Sequence, residues 1–348
     1  MKIFKFFLVF VPLSVLVDIF KAPPSLIFLF SALSIIPLAG LMGEATEGIS
    51  IYSGPRIGGF LNATFGNATE LIISFFALRA GLFEVVKASI AGAVIGNILL
   101  VLGAAMLAGG LKFKTQKFNK KAIEVSSSML LFSVIGLCVP AIFTHSINSQ
   151  LLNTSRYESL SIGVAIIMFV IYILGLYFSF YTHKDIYGSE HEEAVTEKGS
   201  LKKYIIALVA CTLVIAFESE LLVSSVEPMS KAIGLNHTFV GIILIPIIGN
   251  AAEHTTAVLM AMKNKMDVAM EIALGSSLQI VLFVAPILIF ISLLFKPMSI
   301  IFNEFELISL IVSVFIAVKV SNDGESNWLE GVQLIAVYGI IALSFFIL

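Results

Sequence analysis

Two pentapeptides, Gly-Asn-Ala-Thr-Glu at 66–70 and Gly-Asn-Ala-Ala-Glu at 249–253, each put one carboxylate inside a long apolar stretch. A charged side chain in lipid costs roughly 2.5–3.5 kcal/mol or more to insert, so an intramembrane acid is functional by default. Two carboxylates with amide and backbone oxygens nearby make a hard-oxygen site of the kind calcium prefers. Asn67 and Asn250 precede Glu70 and Glu253 by three residues and so share a helix face with them. Gly66 and Gly249 let each helix open, which frees carbonyl oxygens as further ligands. The expected ion ligands are Glu70, Glu253, Gly66, Asn67, Gly249 and Asn250.

The elements that carry these residues are helices in a membrane. Of 348 residues 58% are hydrophobic and only 13% charged, and the mean hydropathy is +1.02. Apolar runs of about twenty residues recur along the chain, the mark of transmembrane helices. The alternating ten-residue pattern of a transmembrane β-barrel is missing from the sequence. The expected fold is therefore an all-α polytopic membrane protein. Its eleven spans are 3–20, 24–52, 58–79, 83–110, 121–144, 156–182, 201–226, 236–262, 266–295, 299–320 and 327–347. The first has a basic start like a signal peptide but no small-x-small cleavage site, and is read as a retained helix. Cys138 and Cys211 lie in separate apolar spans, as core residues rather than a disulfide or metal pair. His183 and His191 do not form a zincin pattern.

Lys and Arg orient the chain. With the N-terminus in the cytoplasm of a cell-membrane protein, fifteen of the 21 basic residues fall inside and six outside. Inside are the cluster from Lys112 to Lys121 and the 182–200 stretch; outside is the C-terminus. Glu190, Glu192, Glu193 and Glu197 make the 182–200 stretch acidic, and it reads as a solvated linker between two halves.

The halves are related. The pentapeptides are offset by 183 residues, and at that offset Glu84 meets Asp267, Gly92 meets Gly275 and Leu99 meets Leu282. Upstream, Thr46 and Glu47 match Ser219 and Glu220 at an offset of 173. The expected organisation is an extra N-terminal helix (1–20), a first five-helix repeat (21–182), the linker (183–200) and a second repeat (201–348). Five is odd, so the second copy enters the membrane the other way up. Inverted repeats mark secondary transporters with a site at the repeat interface near mid-membrane. Asn97, Ser276 and Gln279 are expected to steady the acids or line the path. Glu47 and Glu220, on the long helices before each pentapeptide, are expected at a gate or proton relay. His254 follows Glu253 directly, points to another face and is read as a packing residue.

The segments LNATFGNATELIISFFAL (61–78) and GNAAEHTTAVLMAMKNKMDVAMEIALGSSLQIVLFVAP (249–286) resemble the two signature repeats of the calcium/proton exchanger (CAX) family, within the cation/calcium exchanger superfamily. The likeness extends over most of the chain, including SNDGESNWLEG at 321–331. It implies two inverted five-helix repeats behind one extra helix, and export of calcium in exchange for protons. It also implies ion binding by Glu70 and Glu253, and a gating role for the helices at 24–52 and 201–226. Many relatives have Ser where Ala93 stands, so a hydroxyl symmetric with Ser276 is missing here.

The implied partners are calcium and protons as transported ions and the lipid bilayer, with no cofactor and no nucleic acid; self-association is left open. The rival reading is a sodium-driven exchanger of the same superfamily. Sodium sites need added oxygen ligands, typically carboxylate and hydroxyl; mid-helix the following spans offer Asn97 and Gln279, while their acids Glu84, Asp267 and Glu271 sit near the ends. An enzyme or receptor is disfavoured, since no Ser/His/Asp or paired-metal pattern lies within the spans.

Overall fold

The structure is a computed structural model and describes residues 6–146, 154–187 and 200–348. The four linker glutamates from Glu190 to Glu197 lie outside the described residues. Helices dominate because backbone polar groups surrounded by lipid must pair within their own segment. A short helix α1 (Phe10–Ile19) leads into α2 (Pro24–Phe65) and α3 (Ala68–Arg79). Next come α4 (Phe83–Phe113), α5 (Lys120–Ser146) and α6 (Thr154–Tyr177). The second half holds α7 (Leu201–Ile233), α8 (His237–Gly249), α9 (Ala251–Ala261), α10 (Met266–Ser292), α11 (Glu304–Val320) and α12 (Trp328–Ile347).

Among the described residues seven helices are long and apolar enough to cross a bilayer, and α8 with α9, bent by 61°, makes an eighth. The other expected spans fall short for local reasons. α1 has ten residues, α3 has twelve behind a break, and α11 has seventeen, just under the length of a full crossing.

The 42 residues of α2 do not run straight. Eight residues along a helix rise about 12 Å. Yet Ser50 Oγ donates to Gly58 O at 3.0 Å, so the chain folds back between them. This reversal coincides with the expected 52–58 connection: Pro24–Ser53 is one crossing limb, and the stretch up to Phe65 is a second limb leading to the first pentapeptide.

One expectation needs correcting: the fold is not purely helical. Thr115–Lys117 (β1) pairs antiparallel with Glu325–Asn327 (β2), Thr115 opposite Asn327 and Lys117 opposite Glu325. Each strand has three residues, too few for an alternating pattern to stand out in the sequence. The strand from the second half then starts α12 through a capping box: Asn327 Oδ1 accepts from Leu329 N and Glu330 N, and Glu330 accepts from Asn327 N.

Among the described residues two hydrophobic clusters hold the helices together. The larger centres on α4, α8 and α10, with Leu99, Leu102, Ile242 and Leu282 wholly buried. There Gly92 meets the backbone carbonyl of Ile242 so closely that no side chain fits. The smaller joins Leu38 and Met42 of α2 to Cys211 and Ile215 of α7. Both cysteines are buried and free, as core residues. Ile135, Ile167, Leu213, Phe315 and Ile340 instead face outward, which suits a lipid-facing surface.

Candidate functional site

Each acid sits just past a helix break. α2 ends before Gly66 and α3 begins at Ala68, while α8 ends at Gly249 and α9 begins at Ala251. The asparagines at the breaks have nearly the same backbone, φ −102° and ψ 23° at Asn67, φ −91° and ψ 7° at Asn250. Each carbonyl then starts the next helix: Leu71 N donates to Asn67 O at 3.1 Å, and His254 N to Asn250 O at 2.9 Å. Glu70 and Glu253 therefore occupy first turns, where the helix dipole favours negative charge.

The two breaks meet across the interior. A methyl group on the α-carbon of Gly249 would lie 2.8 Å from Glu70 Oε1, so only glycine leaves that carboxylate its place. In the reciprocal contact, a methyl on Gly66 would lie 3.6 Å from Glu253 Oε1 and 3.6 Å from Gln279 Oε1. Glu70 and Glu253 are close enough to repel each other. Glu70 is 6% exposed, Asn67 and Asn250 are buried, and Glu253 is half-buried, so the site is deeper on the Glu70 side.

The supporting residues converge on one asparagine. Asn67 Nδ2 donates to Gln279 Oε1 at 2.6 Å, and Ser276 Oγ donates to Asn67 Oδ1 at 2.9 Å. Asn97 Nδ2 donates to that same Ser276 Oγ at 2.9 Å. α4 supplies Asn97 from within a stretch of wide π-type turns, Gly96–Val101, and α10 supplies the other two just before a second such stretch, Ile280–Val284. Such turns bend a helix and recur at functional sites.

This network has no counterpart on the other side. At the 183-residue offset, Asn97, Ser276 and Gln279 correspond to Ile280, Ala93 and Gly96. Asn250 Nδ2 donates instead to Pro246 O of its own helix at 3.1 Å, and its Oδ1 is left without a donor. Glu70 Oε2 and Glu253 Oε2 are likewise buried without a donor. Three acceptor oxygens thus lie in the interior with their lone pairs unused, an arrangement that is costly unless a cation or proton satisfies them.

The remaining expected residues lie elsewhere. Glu47 is exposed. Glu220 is 59% exposed and pairs loosely with Arg79 at 3.9 Å, away from the two breaks. His254 is half-buried with Nε2 unpartnered. The structure adds one positioning residue that the sequence did not single out. Gln116, on β1, donates through Nε2 to Ala261 O and Asn264 Oδ1, both at 2.9 Å, and so caps the far end of α9. Its role depends on the β1–β2 pairing and leaves no local motif.

Comparison with known proteins adds the family. The model of the sodium/calcium exchanger protein family matches residues 24–181 and 203–347. A "Ca(2+)/H(+) antiporter" of Aphanothece halophytica is 46% identical, covering 97% of this chain and 95% of its own. A "Ca(2+)/H(+) antiporter" of Bacillus subtilis (strain 168) is 45% identical, covering 97% of both chains. The solved structure of native YfkE superposes with a TM-score of 0.87 at 42% identity, covering 99% of this chain and 100% of that one. With both halves matched and near-full-length relatives this similar, the chain belongs to the sodium/calcium exchanger protein family.

Proposed function

We propose that the protein is a secondary antiporter that exports calcium from the cytoplasm in exchange for protons, by alternating access, across the cell membrane. The observation that carries this reading is the set of three buried, donor-less oxygens, Glu70 Oε2, Glu253 Oε2 and Asn250 Oδ1. Carboxylate and amide oxygens converging in a poorly solvated interior suit a hard divalent cation. Opened backbone at Gly66 and Gly249 adds carbonyl ligands. Asn67, whose amide is already engaged by Ser276 and Gln279, holds the first break in shape.

Charge balance supplies the coupling. Two ionised carboxylates facing each other in a dry cavity are costly to leave bare. Calcium neutralises the pair, and so do protons; both loaded forms can reorient, whereas the bare form resists. Calcium and protons therefore compete for Glu70 and Glu253, and each drives the other across the membrane. The relatives named Ca2+/H+ antiporters support this exchange rather than a sodium-driven one.

The same reading takes the chain as eleven helices, one at the N-terminus and two inverted repeats of five. In its support stand the matching backbone at Asn67 and Asn250, the reciprocal contacts of Glu70 with Gly249 and Glu253 with Gly66, and the two separate stretches matched by the family model. The excess of basic residues on one side supports a cytoplasmic N-terminus. Calcium affinity and proton release on purified protein across a pH series test the competition. Tighter binding as pH rises, with protons released on calcium addition, is expected. Affinity that ignores pH, with no protons released, favours the sodium-driven alternative.

A further inference from the structure

The most deeply buried acid outside the site is Glu218 of α7, at 0% exposure. Sequence matching passed over it in favour of Glu220, two residues on. A hydroxyl of the N-terminal helix meets its carboxylate. Ser14 of α1, also at 0% exposure, donates through Oγ to Glu218 Oε1 at 2.6 Å. Ser31 of α2 is also wholly buried, and neither its Oγ nor Glu218 Oε2 has a hydrogen-bond partner. Among the described residues no ion pair involves Glu218, so the partner of its carboxylate is a hydroxyl donor rather than a cation.

These three helices also share their own apolar packing. The smaller hydrophobic cluster joins Leu38 and Met42 of α2 to Cys211 and Ile215 of α7, with Val11 of α1 packed against it. It is separate from the large cluster around α4, α8 and α10. Its edge reaches Ala68 and Ile72 of α3, so it touches the helix that carries Glu70. The contacts of α1 run to α2 and α7.

We propose that Glu218, held by Ser14, is a buried polar clasp that fastens the N-terminal helix to α7 within the long α2/α7 pair, so that the three helices move as one unit against the ion site. A positioning residue of this kind acts through hydrogen bonds and does not ligate the transported ion. The apolar cluster supplies attraction between the helices but little registry, since smooth hydrocarbon surfaces slide. The hydroxyl-to-carboxyl bond from Ser14 fixes one register, because a slip strands the acid without its donor in an apolar interior. The N-terminal helix then belongs to the moving body instead of being a passive anchor. This rests on the alternating-access reading above, and the test separates the two.

Spin labels on the exposed positions Leu16 of α1 and Leu213 of α7, with the native cysteines replaced, report the distance between these helices. In the wild-type background it should be the same in calcium at high pH as in calcium-free acid. Glu218→Leu and Ser14→Ala should broaden that distance distribution. Both should also lower the maximal exchange rate in proteoliposomes by about three- to twentyfold, the scale of an interhelical hydrogen bond in lipid, with calcium half-saturation unchanged. Glu218→Gln keeps the acceptor oxygen and should behave as wild type. The clasp is overturned if Glu218→Leu leaves both the distribution and the rate unchanged. It is equally overturned if Glu218→Gln loses as much rate as Glu218→Leu, or if the Leu variant shifts calcium half-saturation instead of rate. Absence of calcium/proton exchange in the wild-type protein sinks the antiporter reading alone, because the label distances are read without transport.

Discussion

Replacing Glu70 with Gln keeps the shape and one acceptor oxygen of the side chain but removes one of two charges from the site. Glu70 is 6% exposed, so water screens that charge poorly. Its Oε1 packs against Gly249 and its Oε2 has no donor, so nothing nearby supplies a substitute charge. Removing one partner from a buried ionic contact costs about 3–5 kcal/mol. At 1.4 kcal/mol per factor of ten, calcium affinity should fall by roughly 140- to 3,700-fold. Glu253→Gln should fall at the lower end, because Glu253 is half-buried and better screened. Titration calorimetry on the purified variant measures the loss, and thermal unfolding in detergent checks that the isosteric change leaves the protein folded. A calcium affinity within about threefold of wild type, in a folded Glu70→Gln protein, refutes the claim that its charge holds the ion, since one threefold step is only about 0.7 kcal/mol.

Gly249→Ala should weaken calcium binding by about tenfold, as its methyl, 2.8 Å from Glu70 Oε1, displaces the carboxylate by roughly half an ångström; calcium titration checks it. Asn67→Ala strips the partners from Ser276 and Gln279 and should lower stability by about 1–2 kcal/mol, read as an earlier thermal transition, with weaker calcium binding. Reporter fusions should put the N-terminus and the 112–121 segment on one side of the membrane and the C-terminus on the other. A C-terminus on the same side as 112–121 contradicts the inverted arrangement.

What the sequence disclosed follows from where physics acts locally. The pentapeptides announced their helix breaks because a glycine and an asparagine ahead of a buried acid have few other uses in lipid, and both chain segments do break there. Asn97, Ser276 and Gln279 were recognisable as polar residues in apolar helices. That Ser276 and Gln279 converge on Asn67, with Asn97 behind Ser276, leaving Asn250 Oδ1 free, depends on how α4 and α10 cross the first break, which no local pattern encodes. The repeat argument drew attention to Glu47 and Glu220, yet both are exposed, while the asymmetric Glu218 is the buried one. A symmetry argument cannot find a residue whose partner, Ser14, comes from the helix outside the repeats. The β1–β2 pairing and the Gln116 cap on α9 were illegible for the same reason: they join segments about 210 and 145 residues apart through very short motifs.

The most direct test of the account is calcium uptake into sodium-free proteoliposomes driven by an imposed pH gradient. The competition of calcium and protons for Glu70 and Glu253 predicts calcium accumulation on the acidic side, stoichiometric proton movement the other way, and loss of both in Glu70→Gln. Calcium uptake that ignores the pH gradient and appears only when a sodium gradient is supplied contradicts it.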